Sequence, residues 1–365
     1  MKLAQPVLKN RLMTNSNVNA IVGCLLGTAV GDAIGLPYEG LSKKRQQRIY
    51  PRIRGYDFFL GKGMVSDDTE HTCMVAQALI ISGGNSAEFQ SKLAWRLRCW
   101  LLSLPAGVGW ATLRSCAKLW LGFPGDRAGV FSAGNGPAMR SAIVGVCYGH
   151  DLPTLLELVR ASTRLTHTDP KAEYGALAVA IAAHLSSYQS SLSPQQYYRV
   201  LEQTLPVDAA EFLSLIEQAC QSADNGETAA QFALRLGLEN GITGYIYHTV
   251  PIVIQVWLNY PEDYRTAITT MVRLGGDTDT TAAILGGIIG ARVGKTGIPQ
   301  PWLDNLWEWP RTVPWIEALG ERLAVCNEAR RSPAFSLFIL AVPLRNIFFL
   351  IVVLLHGFRR LLPPY

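Results

Sequence analysis

The sequence predicts an all-α protein. Apolar residues recur at helical spacing through most of its 365 residues, with glycine and alanine inside the apolar stretches, as closely packed helices require. Glycine and proline mark the ends of these stretches, and no run alternates apolar with polar residues as a half-buried strand would. "VNAIVGCLLGTAVGDAIG" (18–35) opens the series, small and apolar at a helical period and stopped by Gly35 and Pro37. "SDDTEHTCMVAQALIISGG" follows, with Ser66 as its N-cap candidate and Gly83-Gly84 as its stop. Helical patterns then cover 87–104, 137–148, 151–162, 171–188, 194–203, 208–222, 227–236, 245–258, 261–272 and 279–293. They are expected to form one domain from about 18 to 328. A polar arm (1–17) precedes it, without the apolar core of a signal peptide.

Composition narrows the class further. At 49% hydrophobic and 17% charged residues the chain has ample material for a core, which excludes low-complexity disorder. The net charge of +5 is carried by the five arginines between 330 and 365, where no acid occurs. A second basic stretch, "KKRQQRIYPRIR" (43–54), reads either as a solvated loop or as a contact for an anionic substrate or partner. It lacks the interleaved aromatics of a nucleic-acid interface, so no nucleic-acid partner is expected. Seven cysteines, odd in number and without a C-x-x-C pair, indicate neither a disulfide framework nor a zinc knuckle. A reducing, cytoplasmic location fits that usage.

The tail differs from the rest. "FSLFILAVPLRNIFFLIVVLLHGF" (335–358) is long enough to cross a hydrocarbon core of about 30 Å. Pro343, Arg345 and Asn346 interrupt it near the middle, where a charge is costly in lipid. Arginine pairs flank both ends (Arg330-Arg331 and Arg359-Arg360) and give no orientation. Residues 329–365 therefore read either as a membrane-associated segment, spanning or interfacial, or as a helix packed on the domain or on another chain.

Two acidic stretches carry the chemistry. "VSDDTEHT" (65–72) and "GGDTDTT" (275–281) each put two aspartates and neighbouring hydroxyls at the start of an apolar helix. Either alone is accounted for by capping and the helix dipole. One cap, however, needs one oxygen. Four carboxylates with several hydroxyls make a hard, all-oxygen ligand set, suited to Mg²⁺ or Mn²⁺ rather than zinc. With two ions an aspartate can bridge, and Gly275-Gly276 lets the chain turn tightly enough for Asp277 and Asp279 to converge. Three further segments stand out. "GDAIGLPYEG" (31–40) ends in Glu39, either a surface acid or a base and gate at a metal site. "FSAGNGPAMRSA" (131–142) is a glycine-containing loop before a helix, able to offer N–H groups to an anion. "LTHTDPKAEYGAL" (165–177) holds His167 ahead of a proline-started helix, in a structural or a catalytic role.

These segments, in this order, resemble the ADP-ribosylglycohydrolase family. The matching text is "GCLLGTAVGDAIGLPYEG", "SDDTEHT", "SAGNGPAMR", "LTHTDPKAEYGALAVA" and "LGGDTDTTAAILGGIIGARVG", from about Gly23 to Gly294. The resemblance implies a compact all-α domain with two Mg²⁺ or Mn²⁺ ions held by Ser66, Asp67, Asp68, Asp277, Asp279 and Thr280. It implies Glu39 and Asp68 as catalytic residues, Glu39 in gating or base chemistry, and substrate contacts from Ser132, Gly134, Asn135 and His167. The implied reaction is hydrolysis of the glycosidic bond at the distal ribose of ADP-ribose. Its substrate would be an ADP-ribosylated protein or a small ADP-ribose conjugate. The alternatives are a non-catalytic member with a structural or ADP-ribose-binding role, and a two-metal hydrolase of another substrate. Some members carry tyrosine in the glycine loop where this chain has Ala133, so the preferred linkage is expected to differ. The tail after 335 lies outside the resemblance.

Overall fold

A computed structural model describes residues 15–189, 192–326, 331–333, 335–338 and 340–361. Most of the expected arm (1–14) lies outside the described residues. Among the described residues there is no β-strand, only isolated bridges between loops. The helices that matter for the site are α1 (Asn15–Gly35), α2 (Lys43–Ile49), α3 (Asp67–Ser82), α4 (Pro170–Tyr188), α5 (Ile246–Asn259), α6 (Thr278–Gly297), α7 (Val313–Ala324) and α8 (Ala341–Arg359).

The centre of the molecule is the pair α1–α6, with α3 and α7 against α1 and with α4 and α5 against α6. The two helices run antiparallel, and α1 meets α6 through glycines spaced by four. A Cβ at Gly27 would stand 2.2 Å from the Gly286 carbonyl oxygen, and one at Gly31 would stand 2.1 Å from that of Ala282. The glycine content seen in the sequence is thus spent on a backbone-to-backbone crossing. Gly27→Ala is expected to destabilise the fold by about 1–3 kcal/mol through overpacking, read from the urea midpoint. A change below a few tenths would mean that the crossing can open.

Three local expectations change. The basic stretch 43–54 is not all loop. Its first part is α2, capped by Ser42, with Gln46 buried and donating to the Val272 carbonyl at 2.8 Å. The segments Trp110–Trp120 and Val313–Ala324 are helices that the periodicity did not single out. The first is short and carries exposed tryptophans at both ends. The second has its Thr312 cap and Pro314 in the first turn, and buries Ile316, Leu319 and Leu323, a short helical period that was overlooked.

In the tail, Pro343 sits in the first turn of α8, where no N–H is needed, so it does not interrupt the helix. Arg345 and Asn346 do not interrupt it either, because both point into the domain and are buried. Arg345 donates to Glu308 at 2.6 Å and to the Val65 carbonyl at 2.6 Å, and Asn346 donates to the Ser103 carbonyl at 2.8 Å. Phe349 and Val352 join Leu36, Phe58 and Met64 in a second, smaller core. The helix therefore packs on the domain through a side that mixes these polar groups with apolar ones.

Candidate active site

The loop before α6 brings the separate segments together. Gly275 and Gly276 both have positive φ (76° and 84°), a conformation that side chains resist. The Gly276 N–H donates to Leu41 (3.1 Å), its carbonyl accepts from Gly40 (2.9 Å), and the Asp277 N–H donates to Ile242 (2.8 Å). This turn is held between the Glu39 segment on one side and 241–242 on the other. A Cβ at Gly276 would stand 2.0 Å from the Ile242 carbonyl oxygen, so only glycine fits.

Capping does not account for the acids. At α3 the cap is Ser66, whose hydroxyl accepts from the Asp68 N–H. The N–H groups of Ser66 and Thr69 are taken by Asp32, reaching over from α1. Asp277 begins α6 without any side-chain cap bond; its carboxylate instead accepts from the Asn135 amide at 2.6 Å. Asp68 accepts from the Ser66 hydroxyl (2.9 Å) and from the Thr280 hydroxyl (3.2 Å), which ties the starts of α3 and α6 together. One oxygen of Asp68 and one of Asp279 are buried with no hydrogen-bond partner.

These groups open on one cavity of about 740 Å³. Every residue singled out from the sequence lines it except Asp68, which lies just behind the wall and is 1% exposed. The glycine loop forms the opposite side. There the His167 Nδ1 pairs with the Thr166 hydroxyl (2.9 Å), while Nε2 faces Gly134, where a Cβ would come within 3.0 Å. Burial and the nearby Arg140 push the imidazole down to about 3, so His167 is neutral and meets a ligand as a hydrogen-bonding group, not as a cation.

The electrostatics are those of crowded acids. Burial raises Asp67, Asp68 and Asp279 well above the ordinary carboxyl range, and the neighbouring carboxylates raise them further. Asp32 is pushed from 3.8 up to about 7 by burial, against the opposing bonds from Thr69 and Ser66. Glu39, on the cavity rim, is raised by partial desolvation and by Asp277, with Arg360 opposing. Without a cation, the folded protein holds more protons on these acids than the unfolded chain does, so its stability falls as pH rises from about 4 to 7. Urea midpoints in EDTA are expected to drop across that window. Mg²⁺ or Mn²⁺ should shrink the drop, since cations displace those protons. An unchanged slope with ion present would contradict the cation-binding reading.

The region of the chain that matches the ADP-ribosylglycohydrolase family model is 13–333, spanning all of these segments. The chain belongs to the ADP-ribosylglycohydrolase family. It is 32% identical to an uncharacterized protein of Archaeoglobus fulgidus over 78% of this chain and 90% of the relative. It is 26% identical to the ADP-ribosyl-[dinitrogen reductase] glycohydrolase of Rhodospirillum rubrum, over 80% of this chain and 92% of the relative. With ADP-ribosylhydrolase ARH3 of Xenopus tropicalis the identity is 28%, over 85% and 97%. A solved structure, an ADP-ribosylglycohydrolase-related protein complex, shares the fold, with a TM-score of 0.60 and 24% identity over 87% of this chain and 100% of that one.

In this family member the donors fit divalent ions by their chemistry. They are hard oxygens, two of them buried without partners, and raised acids that lack a compensating charge. No three His, Cys, Asp or Glu side chains among the described residues are already gathered as an ion cage. Hydroxyls from Ser66 and Thr280 would have to complete the set.

Two contributors to the site were missed from sequence. Asp32 stood inside a quoted segment as an acid among small apolar residues, which was the only signal it gave. The other is the tail: Phe349, Val353 and His356 of α8, with Arg360 just after it, line the cavity and lie beyond the family match. Arg360 donates to the carbonyls of Glu39 (2.9 Å) and Pro37 (2.5 Å).

Proposed function

We propose that the chain hydrolyses the glycosidic bond between the distal ribose of ADP-ribose and an acceptor, either a modified protein side chain or a small conjugate. The observation that carries this reading is Asp68, bonded to both Ser66 and Thr280, which brings two acidic helix starts to one cavity. The names of the relatives, a glycohydrolase of ADP-ribosylated dinitrogen reductase and an ADP-ribosylhydrolase, support the substrate class. Ser66, Asp67, Asp68, Asp277, Asp279 and Thr280 would hold two Mg²⁺ or Mn²⁺ ions. Bound divalent ions supply Lewis-acid polarisation and a water nucleophile near neutral pH.

The chain's own residues do the rest. Cleavage breaks the C1–N or C1–O bond with oxocarbenium character on the ribose, and the oxygen of water bonds to C1. Glu39, raised and at the rim, orients that water and takes its proton, which passes to the departing acceptor. Asn135 holds the Asp277 carboxylate in place, and neutral His167 offers Nε2 to the ligand. Phe349 and Val353 exclude solvent from the tail side of the cavity.

Free ADP-ribose is the common product, and its binding tests the cavity without turnover. Calorimetry with Mn²⁺ present should show one ADP-ribose per chain, weakened by Asn135→Ala. No binding with or without the ion would remove the basis of this reading.

A further inference from the structure

The tail helix is apolar on both sides. Its inward side buries Val342, Phe349 and Val352 together with Arg345, Asn346 and His356, which are hydrogen-bonded to Glu308, Ser103 and Pro37. Its outward stripe is Leu344, Ile347, Ile351, Leu354, Leu355 and Phe358, each at least half exposed. Such a stripe far exceeds the scattered apolar residues of an ordinary surface. Leu102 and Leu104, 63% and 67% exposed, flank the Ser103 to which Asn346 is bonded and extend the same apolar surface.

Charge gives this face a partner. The basic segment 43–54 abuts the C-terminal end of α8, where the Arg45 guanidinium donates to the Arg360 carbonyl and Tyr50 stacks on His356 at 6.5 Å. That segment carries six cations and no acid, and α8 with its flanks (331–361) contains no acid either. We propose that the outward face of α8 docks peripherally on an anionic lipid bilayer, the leucine and isoleucine stripe entering the headgroup boundary and the 43–54 cations meeting lipid phosphates. A second copy on this face would bring like charge to a surface whose cations far outnumber its neighbouring acids, Glu39 and Asp57, whereas anionic headgroups supply the missing sign. A spanning arrangement would strip Arg345 from Glu308 and Val65 and leave its charge in hydrocarbon, so the helix lies on the bilayer instead of crossing it.

Flotation of the full chain with vesicles tests this. Mixed phosphatidylcholine–phosphatidylserine vesicles should carry the protein at least tenfold better than phosphatidylcholine alone, with release by high salt. Ile351→Glu and Leu355→Ser, both on the outward face, should abolish flotation without lowering the thermal midpoint. Lys44→Ala and Arg359→Ala should each weaken it by roughly fivefold, the effect of about 1 kcal/mol per cation. Four results would overturn the proposal. They are no flotation on either vesicle, salt-resistant insertion, a vesicle-indifferent dimer that Ile351→Glu dissolves, and flotation that appears only after residues 1–14 are removed. The last would assign the face to the chain's own arm.

Discussion

Replacing Asp279 by alanine is expected to abolish divalent-cation binding and ADP-ribose release together, while the cation-free protein keeps its thermal midpoint or gains slightly. Asp279 is buried, has an oxygen without a partner, and is raised by burial and by Glu39, Asp277, Asp68 and Asp32. A group placed there for stability would be paired. Removing it relieves repulsion in the empty cluster and deletes an ion ligand in the loaded one. Changes to groups that only support metal ligands cost about 10–100-fold in affinity or activity, so loss of a ligand should exceed about 100-fold. Asp279→Asn, which keeps the shape, should lose activity as fully. Asp32→Asn should fall within the supporting range, because Asp32 acts through Ser66 and Thr69. Wild-type turnover by Asp279→Ala would remove Asp279 from the site.

Replacing Arg345 by alanine should cost about 3–5 kcal/mol, the range for breaking a buried pair by removing one partner. Its guanidinium and Glu308 are both nearly inaccessible and 2.6 Å apart. Glu308 is raised by burial even with Arg345 beside it, so the stranded carboxyl would have to take up a proton. Activity should fall as well, for a geometric reason. Glu308 accepts from the Val65 N–H (3.2 Å) and Arg345 donates to the Val65 carbonyl (2.6 Å), fixing the residue that precedes Ser66. Urea denaturation of Arg345→Ala, Glu308→Gln and the double variant would give the coupling directly. A single-variant loss below about 1 kcal/mol would mean that the tail contributes little to holding the acidic helix start.

Most of the fold was legible because its determinants are local. The glycines of α1 recur every four residues and announce a close crossing, and Ser66, Gly83 and Pro37 mark helix limits. The acids were legible because residue type alone says that paired carboxylates beside an apolar helix need a counter-charge. What stayed hidden depends on distant partners. Arg345 reads as an interruption until Glu308 and the Val65 carbonyl are seen around it. Asp32 reads as one more residue of a small-apolar helix until its bonds to Ser66 and Thr69 are known. The 43–54 cations masked a short helix because charge, not period, dominates that stretch, although the Ser42 cap carried the signal.

The central claim is that two acidic helix starts form a cation-dependent site for cutting ADP-ribose from its acceptor. The most direct measurement follows free ADP-ribose released by the purified full chain from arginine-linked, serine-linked and 1″-phosphate substrates, with Mg²⁺, Mn²⁺ or EDTA. Release from at least one linkage, stopped by EDTA and restored by the ion, is the result predicted. Release that ignores EDTA, or none from any linkage despite measured ion binding, would contradict it.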